Sequence, residues 1–227
     1  MNDAPPSHYE EIAPAPSEEQ LRIGLIKNQA YAFMAELHGW CPDVRAAFFI
    51  DVIGKTKPDV IVEIGVWGGK SLIPMACALK SNQRGIIFGI DPWQSSESVQ
   101  WVMIDANRNF WQNANHEWVY QDLVQKIAQF HLENQIKLIK ATSEAAPAIH
   151  GIDLLHIDGN HSDPTSYLDV TKWVPLVRAG GWIVLDDMTW SENGMATEAR
   201  AVEWLNANCL KLAEFTDVST WGVWIKP

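Results

Sequence analysis

The sequence has no hydrophobic run long enough to cross a membrane, and basic residues are few. No stretch approaches the roughly 20 consecutive apolar residues of a transmembrane helix. Its 17 Lys and Arg residues stand against 28 Asp and Glu residues, which gives a formal net charge of −11. Nucleic acids and anionic membrane surfaces bind where Lys and Arg are concentrated. The composition therefore argues against both of these partners.

Cysteine is also scarce, and the N-terminal residues lack a secretory pattern. The three cysteines, Cys41, Cys77 and Cys209, are too widely spaced for a disulfide framework or a zinc site. The first residues, MNDAPPSHYEE, contain neither a basic segment nor an apolar one. We therefore expect a reduced, cytoplasmic location.

No linker divides the 227 residues, and the length suits a single domain with a full hydrophobic core. Residues 1–16 contain four prolines and little apolar content, which predicts a flexible tail before a domain of residues 17–227. Residues 17–58 predict N-terminal helices. The first begins at a capping box, Ser17-Glu18-Glu19-Gln20, and the second covers Val44–Ile53 and ends at Gly54.

Short aliphatic runs then alternate with helical patterns, as expected of βαβ units and a parallel sheet. Buried strands are predicted at Val60–Ile64, Ile86–Ile90, Ile136–Lys140, Leu154–Ile157 and Trp182–Leu185, and helices at Leu72–Leu79, Trp118–Gln129, Tyr167–Leu176 and Thr197–Asn208. Two further runs, Leu210–Val218 and Gly222–Ile225, are close enough for a hairpin. The predicted fold is α/β, with a Rossmann-like doubly wound seven-stranded sheet that is mostly parallel and has a C-terminal antiparallel hairpin.

The segment Asp59–Ser71, DVIVEIGVWGGKS, joins the first strand to a helix through a glycine-rich turn. Glycine lets the backbone approach a ligand closely, and the helix start offers unpaired N–H groups. The strand also delivers a carboxylate, Glu63, to the same turn. A carboxylate suits a ligand with hydroxyl or ammonium donors better than a pyrophosphate.

Acidic residues also follow the later strands: Asp91 the second, Asp158 the fourth, and Asp186-Asp187 the fifth. The carboxyl ends of parallel strands lie along one edge of a sheet, where ligands bind. Carboxylates that converge there repel one another, so a cation or a hydrogen-bond donor is expected among them. Capping of the following helices explains a single acid but not the Asp-Asp pair.

Glu63-x-Gly65-x-x-x-Gly69 resembles the cofactor loop of class I S-adenosylmethionine-dependent methyltransferases. Asp91 matches the acid that binds the ribose hydroxyls in that family. The segments HIDGNHS (His156–Ser162) and GGWIVLDDM (Gly180–Met188) are similar to the metal-assisted O-methyltransferase branch, with its catechol, macrolide-sugar and cephalosporin-type members.

The resemblance implies a binding site for S-adenosylmethionine. Glu63 would take the ammonium group of the methionine moiety, Asp91 would accept from the ribose hydroxyls, and Ser143 would contact the adenine edge. Trp67 and Trp93 are candidate walls for the adenine or the methionine tail, with core packing as the alternative for both. The full set of expected cofactor residues is Glu63, Gly65, Trp67, Gly69, Ser71, Asp91, Trp93, Ser143 and Asp158.

The resemblance also implies a metal site at Asp158, Asp186 and Asp187. An all-oxygen carboxylate set selects Mg²⁺, or Ca²⁺ or Mn²⁺, over zinc. A bound dication lowers the pKa of a coordinated hydroxyl. His161 is the candidate catalytic base, because imidazole suits this proton transfer near pH 7; the alternative is that it only shapes the turn. Asn160 stands where some relatives carry an acidic base.

Residues 92–117 are longer than an ordinary strand-to-helix connection and contain Trp93, Trp101, Phe110 and Trp111. An aromatic insertion beside the site suits either a lid over the substrate or a subunit interface of a homo-oligomer. His156, inside a predicted strand, is expected to be a buried core residue.

The leading hypothesis is a divalent-cation-dependent O-methyltransferase that acts on a hydroxyl of a small molecule such as a sugar, a polyphenol or another secondary metabolite. One alternative is a non-catalytic or diverged adenosylmethionine-binding protein of the same fold. The other, a nicotinamide-dependent oxidoreductase, predicts a compact G-x-G-x-x-G turn and leaves the Asp-Asp pair unexplained.

Overall fold

The computed structural model describes residues 15–100 and 103–227, so residues 1–14 of the expected tail and Trp101 lie outside it. The helices are α1 Glu18–Met34, α2 Asp43–Thr56, α3 Leu72–Asn82, α4 Ser95–Ser98, α5 Asp105–Asn113, α6 His116–Gln129, α7 Asp163–Trp173 and α8 Ala199–Asn208. The strands are β1 Val60–Ile64, β2 Ile86–Asp91, β3 Ile136–Lys140, β4 Ile152–Ile157, β5 Val177–Leu185, β6 Ser191–Glu192, β7 Met195–Ala196, β8 Leu210–Thr216 and β9 Thr220–Ile225.

Seven strands form one sheet in the order β3-β2-β1-β4-β5-β9-β8. Strands β1 to β5 pair in parallel, and β9 pairs antiparallel with both β5 and β8. The predicted α/β fold with a C-terminal antiparallel hairpin is therefore confirmed. Because β1 lies between β2 and β4, the strand order reverses there, and this switch point is where doubly wound sheets bind ligands.

Helices cover both faces of the sheet, because its central strands are apolar on both sides. Ile61 and Val62, consecutive in β1, belong to two different hydrophobic clusters. Helices α1, α2, α3 and α6 pack on the first face, and α7 and α8 on the second. Burial of both faces explains why the strands read as continuous apolar runs rather than alternating ones.

The start of α1 is a capping box, as predicted. The Oγ atom of Ser17 accepts a hydrogen bond from the Gln20 amide at 3.2 Å, and Gln20 Oε1 accepts one from the Ser17 amide at 2.7 Å. The predicted end of α2 at Gly54 is wrong, because the helix continues to Thr56. Gly54 instead lets α1 pack closely, since a side chain there would crowd Ile23.

The described residues of the insertion 92–117 form α4, α5 and the beginning of α6. A two-stranded hairpin, β6 with β7, follows the Asp-Asp pair and forms a separate small sheet. The sequence predicts neither the short helices nor this hairpin. None of the helices in the described part of the chain is long and apolar enough to span a membrane.

Candidate active site

A cleft of about 660 Å³ opens at the carboxyl ends of the central strands. This volume lies within the range of small-molecule binding sites. The cleft is lined by the glycine turn after β1, the ends of β2 and β4, the segment after β5, and helix α5. The expected site residues that line it are Gly65, Trp67, Ser71, Asp91, Ser143, Asp158, His161 and Asp187.

Gly65 brings the β1 turn against the end of β4. Its φ of 83° lies in the left-handed region, and its amide donates to the Ile90 carbonyl at 2.9 Å. A Cβ atom at this position would overlap the carbonyl oxygen of Asp158. Glycine is therefore required here by both conformation and space, and the turn and the acidic segment share one cleft.

Asp91 holds the backbone of this turn in place. Its Oδ2 atom accepts hydrogen bonds from the amides of Val66 at 3.0 Å and Trp67 at 2.9 Å, and Oδ1 accepts from the Trp93 amide at 2.7 Å. Burial raises the pKa of Asp91, and these amides partly offset the rise. A carboxylate has about four lone-pair positions, so Asp91 retains acceptor capacity for one ligand hydroxyl rather than two.

Three residues expected to contact the cofactor lie outside the cleft lining. Glu63 is fully buried and accepts hydrogen bonds from Ser71 Oγ at 2.5 Å and from His156 Nδ1 at 2.9 Å. Both hydrogen bonds go to Oε1, whereas Oε2 has no hydrogen-bond partner among the described residues, so a contact of Glu63 with a ligand ammonium group stays a prediction. Trp93 is buried in the core, where its Nε1 donates to the Trp67 carbonyl at 2.9 Å. Gly69 packs against Leu123 of α6.

Ser143, after β3, also lines the cleft, next to the buried acid Asp169. Its carbonyl accepts hydrogen bonds from Lys172 Nζ at 2.7 Å and Trp173 Nε1 at 3.2 Å. Asp169 of α7 belongs to the same lining, and burial raises its pKa to about 7. Its Oδ1 atom has no hydrogen-bond partner among the described residues.

Asp158 and Asp187 face the cleft beside His161. Donor atoms of these three side chains lie within 4.8 Å of one another. No described residue donates a hydrogen bond to the Asp158 carboxylate, and burial together with Asp186 and Asp187 raises its pKa well above the usual value. An uncompensated carboxylate beside a second one is a hard, all-oxygen donor set, which fits Mg²⁺, Ca²⁺ or Mn²⁺.

Asp186 is engaged on the interior side of this cluster. It is buried, lies outside the cleft lining, and pairs with Arg45 of α2. The same guanidinium also reaches Asp217 at 2.6 Å. Donor atoms of Asp158, Asp186 and His156 also lie within 4.8 Å of one another, so the three expected metal acids are adjacent. Only two of them face the cleft.

His156 is a core residue, as predicted, but it is charged. It is completely buried, with Nδ1 on Glu63 and Nε2 at 3.6 Å from Asp186 Oδ2. Burial alone would lower its pKa, but the two carboxylates raise the pKa to about 10. His156 thus links the carboxylate of the glycine turn to the carboxylates at the end of β5.

His161 lies between two carboxylates. Its Nε2 is 3.1 Å from Asp187 Oδ2 and its Nδ1 is 3.1 Å from Glu198 Oε1. Burial alone would lower its pKa, but these two partners raise the pKa well above the usual value. In this arrangement the ring is an imidazolium without a free lone pair. It can accept a proton only in its neutral form, after Nε2 has lost its own proton and its contact with Asp187.

The insertion supplies one wall of the cleft. Trp67, Phe110 and Trp111 pack edge to face, with ring centroids of Trp67 and Trp111 at 5.0 Å and of Phe110 and Trp111 at 5.1 Å. Trp40, from the loop before α2, joins them at 5.6 Å from Phe110. These four side chains, the aromatic wall, all line the cleft. Trp40 remains 61% exposed.

A buried glutamate fixes the insertion to the β6–β7 hairpin. Glu192 accepts hydrogen bonds from the Ile104 amide at 2.8 Å and from Asn107 Nδ2 at 2.7 Å. Glu192, Glu198, Arg45 and Asp169 are the site residues that the sequence does not predict. Their partners are distant in the chain, and no local motif marks them.

A family model described as a methyltransferase domain matches residues 62–188. The O-methyltransferase NovP superposes with a TM-score of 0.65 at 18% identity, over 92% of this chain and 99% of NovP. An O-methyltransferase from Bacillus cereus in complex with SAH gives 0.60 at 14%, over 95% and 94% of the two chains. TomG from Streptomyces achromogenes, an O-methyltransferase in complex with SAM, gives 0.60 at 15%, over 95% and 92%. Curated protein sequences give no significant match.

Proposed function

Because the chain belongs to the methyltransferase domain family, we propose that it transfers a methyl group from S-adenosylmethionine to a hydroxyl of a small molecule, with the help of a divalent cation. The observation that carries the proposal is the contact of the glycine turn with the end of β4. Through Gly65 and Asp158, a cofactor site and an acidic pair open into one cleft.

The residues that we expect to hold the cofactor are those of the glycine turn after β1, together with Asp91 and Ser143. Asp91 keeps the turn in shape through three backbone amides and offers its remaining acceptor capacity to a ribose hydroxyl. Trp67 and Ser143 line the same cleft. Bound S-adenosylmethionine supplies an electrophilic methyl group. The chain contributes chiefly by holding the acceptor oxygen in line with it.

Asp158 and Asp187 are the residues that we expect to hold the cation, and Asp186 supports them from the interior. A bound dication favours the deprotonated form of an acceptor hydroxyl. The lack of a hydrogen-bond donor at Asp158 among the described residues supports this assignment, because a half-buried carboxylate next to two others gains from a bound cation. Arg45 neutralises Asp186, and His161 is the basic neighbour of Asp187, so of these three acids Asp158 is the one without an ion-pair partner among the described residues.

His161 is the proposed base, in its neutral form, in which Nε2 has given up its proton and has left Asp187. Glu198 then keeps Nδ1 as a donor, so the free lone pair of Nε2 points to the cleft. A carboxylate that fixes the tautomer of a histidine in this way is a common arrangement in enzyme sites.

Calorimetry with S-adenosylhomocysteine, together with a labelled S-adenosylmethionine assay over hydroxylated acceptors, tests the proposal. We expect cofactor binding, methyl transfer that is abolished by EDTA, and recovery with Mg²⁺. Binding of NADH instead of S-adenosylhomocysteine would overturn the assignment. If EDTA leaves methyl transfer unchanged, the role of the divalent cation is wrong, but the assignment as a methyltransferase stands.

A further inference from the structure

The segment after β3 lines the cleft beside Asp91 without forming a helix or a strand. We call residues 142–146 the β3 loop, and two of its residues that line the cleft are Ser143 and Glu144. The Ala141 amide donates to the Asp91 carbonyl at 3.1 Å, so the loop begins next to the acid that we assign to the cofactor ribose. A base attached to that ribose is therefore expected to meet the β3 loop.

The β3 loop has few partners for its own backbone carbonyls. Within it, the Ala146 amide donates to the Thr142 carbonyl at 2.9 Å, and the Ala145 amide donates to Thr142 Oγ1 at 3.1 Å. These two hydrogen bonds leave the carbonyls of residues 143–146 without a partner inside the loop. Because a buried carbonyl without a partner is costly, the shape of the loop depends on donors from another element.

Lys172, in the last turn of α7, supplies these donors. Its Nζ atom donates to the carbonyls of Ser143 at 2.7 Å, Glu144 at 2.6 Å and Ala146 at 3.1 Å. An ammonium group has three N–H donors, so all of them are used on the loop. Trp173 Nε1 also donates to the Ser143 carbonyl, at 3.2 Å. Lys172 lies outside the cleft lining, so it acts on a ligand through the loop.

We propose that Lys172 is a positioning residue for the nucleoside part of the cofactor. Its ammonium group binds three carbonyls of the β3 loop and so fixes the loop in the shape that places Ser143 at the cleft. A nucleoside then meets a loop that is already ordered, and its binding does not have to supply the free energy of ordering it. The inference rests on the proposed function, because the loop belongs to the cofactor side of that site.

Calorimetry tests the proposal with S-adenosylhomocysteine and with 5′-methylthioadenosine, which contains the same nucleoside but no amino acid. Lys172→Met keeps an unbranched side chain of similar length but loses the three N–H donors. We expect both ligands to bind about tenfold more weakly to this variant, because hydrogen bonds from a charged donor to the loop are lost. An unchanged affinity for 5′-methylthioadenosine would overturn the proposal.

Lys226 is a matched control, because its Nζ atom also donates to backbone carbonyls, those of Pro175 at 2.7 Å and Val177 at 2.5 Å. Both lysines are half-buried, and Lys226 lies outside the cleft lining. Lys226→Met should therefore lower the urea midpoint of unfolding, as Lys172→Met does, while both ligands keep their wild-type affinity. Equal losses of affinity in the two variants would attribute the effect to global stability and would overturn the proposal.

Two further measurements separate positioning from a merely structural role. Lys172→Arg retains the charge and N–H donors, so it should lose less affinity than Lys172→Met, and equal losses would contradict a role of the donors. With S-adenosylmethionine as substrate, KM should rise about tenfold in Lys172→Met, whereas kcat should fall by no more than about twofold, since the reacting groups are untouched. A fall in kcat at an unchanged KM would overturn the proposal.

The outcomes also separate this inference from the proposed function. Methyl transfer by Lys172→Met with the wild-type KM would overturn the inference alone. Binding of S-adenosylhomocysteine by the wild-type protein, without methyl transfer to any hydroxylated acceptor, would overturn the proposed function, and the calorimetric comparison of the variants would still decide the inference. Failure of the wild-type protein to bind either ligand would overturn both.

Discussion

Asp91 and Asp158 both lie at the ends of parallel strands, and burial raises the pKa of each, yet their surroundings differ. Asp91 accepts three backbone hydrogen bonds from the glycine turn and the segment after β2. Asp158 accepts none from the described residues and has Asp186 and Asp187 as neighbours. One carboxylate is part of the scaffold, and the other still lacks a partner.

The difference shows how one sheet edge separates two tasks. Amides compensate a buried carboxylate permanently, so Asp91 shapes the turn before any ligand arrives. Asp158 has no such donor among the described residues, so its charge is relieved when a cation binds or when it takes up a proton. The glycine turn and the acidic cluster meet at Gly65. Substitutions in the turn, in the cluster and at Gly65 therefore test whether cofactor binding and cation binding are separate.

The largest expected effect is on the unpaired side. Asp158→Asn should lower methyl transfer by on the order of a thousandfold, since cation assistance contributes several kcal/mol to transition-state stabilisation. Affinity for S-adenosylhomocysteine, measured by calorimetry without Mg²⁺, should change little. Asp122→Asn on α6, outside the cleft lining, is the control. Loss of cofactor affinity in Asp158→Asn would make this residue part of the cofactor site.

A substitution at the contact between the glycine turn and the acidic cluster should disturb both of them. Gly65→Ala places a methyl group into the Asp158 carbonyl and should lower the free energy of unfolding by at least about 3 kcal/mol. Gly151→Ala is a matched control, because Gly151 has a φ of 72° but nothing within 4 Å of an added Cβ. Its free energy of unfolding should fall by only about 1 kcal/mol, which is the cost of the left-handed conformation for alanine. Equal losses in urea unfolding would contradict the close contact.

On the scaffold side, Asp91→Asn should weaken S-adenosylhomocysteine binding about 100-fold, because charge-assisted hydrogen bonds to the turn amides are lost. Calorimetry measures the affinity, with Glu133→Gln, an exposed carboxylate before β3, as the control. Turnover with saturating cofactor should fall much less than in Asp158→Asn. If turnover falls while cofactor affinity is unchanged, Asp91 acts with Asp158 in the reaction rather than as part of the scaffold.

Asp169 is an intermediate case, and its effect per pH unit is the smallest of the four. Its pKa is about 7 in the folded protein because of burial, against about 3.9 in an unfolded chain. The folded state therefore binds more protons between pH 4 and pH 7, and stability falls as pH rises through this window by at most about 1.4 kcal/mol per unit. Asp169→Asn should flatten the dependence in urea unfolding without cofactor. Parallel profiles of the two proteins would contradict the shift.

Patterns within short segments predict the frame of this molecule. The apolar runs predict β1 and β3 residue for residue, and Ser17 predicts the start of α1. Gly54 misleads because its role is tertiary: it makes room for Ile23 of another helix. Helix α4 and the β6–β7 hairpin are too short to show a hydrophobic periodicity in the sequence.

The electrostatics of the site escape such patterns. Arg45 and Asp186 are 141 residues apart in the sequence, and His161 and Glu198 are 37 residues apart. The strand-end acids predict that charges gather at one edge of the sheet. Which acid receives an arginine, a histidine or no partner depends on packing among distant helices, and no spacing in the sequence encodes it.

The hydrogen bonds of Glu192 couple two distant parts of the chain mechanically. A ligand that enters by displacing α5 must either break both bonds or carry the β6–β7 hairpin along with the helix. Three residues separate the hairpin from the segment Asp186–Asp187, so these two hydrogen bonds connect the aromatic wall to the part of the chain that carries this acidic pair. Hydrogen exchange at the Ile104 amide measures how often this connection opens, because the N–H is protected only while it donates to Glu192.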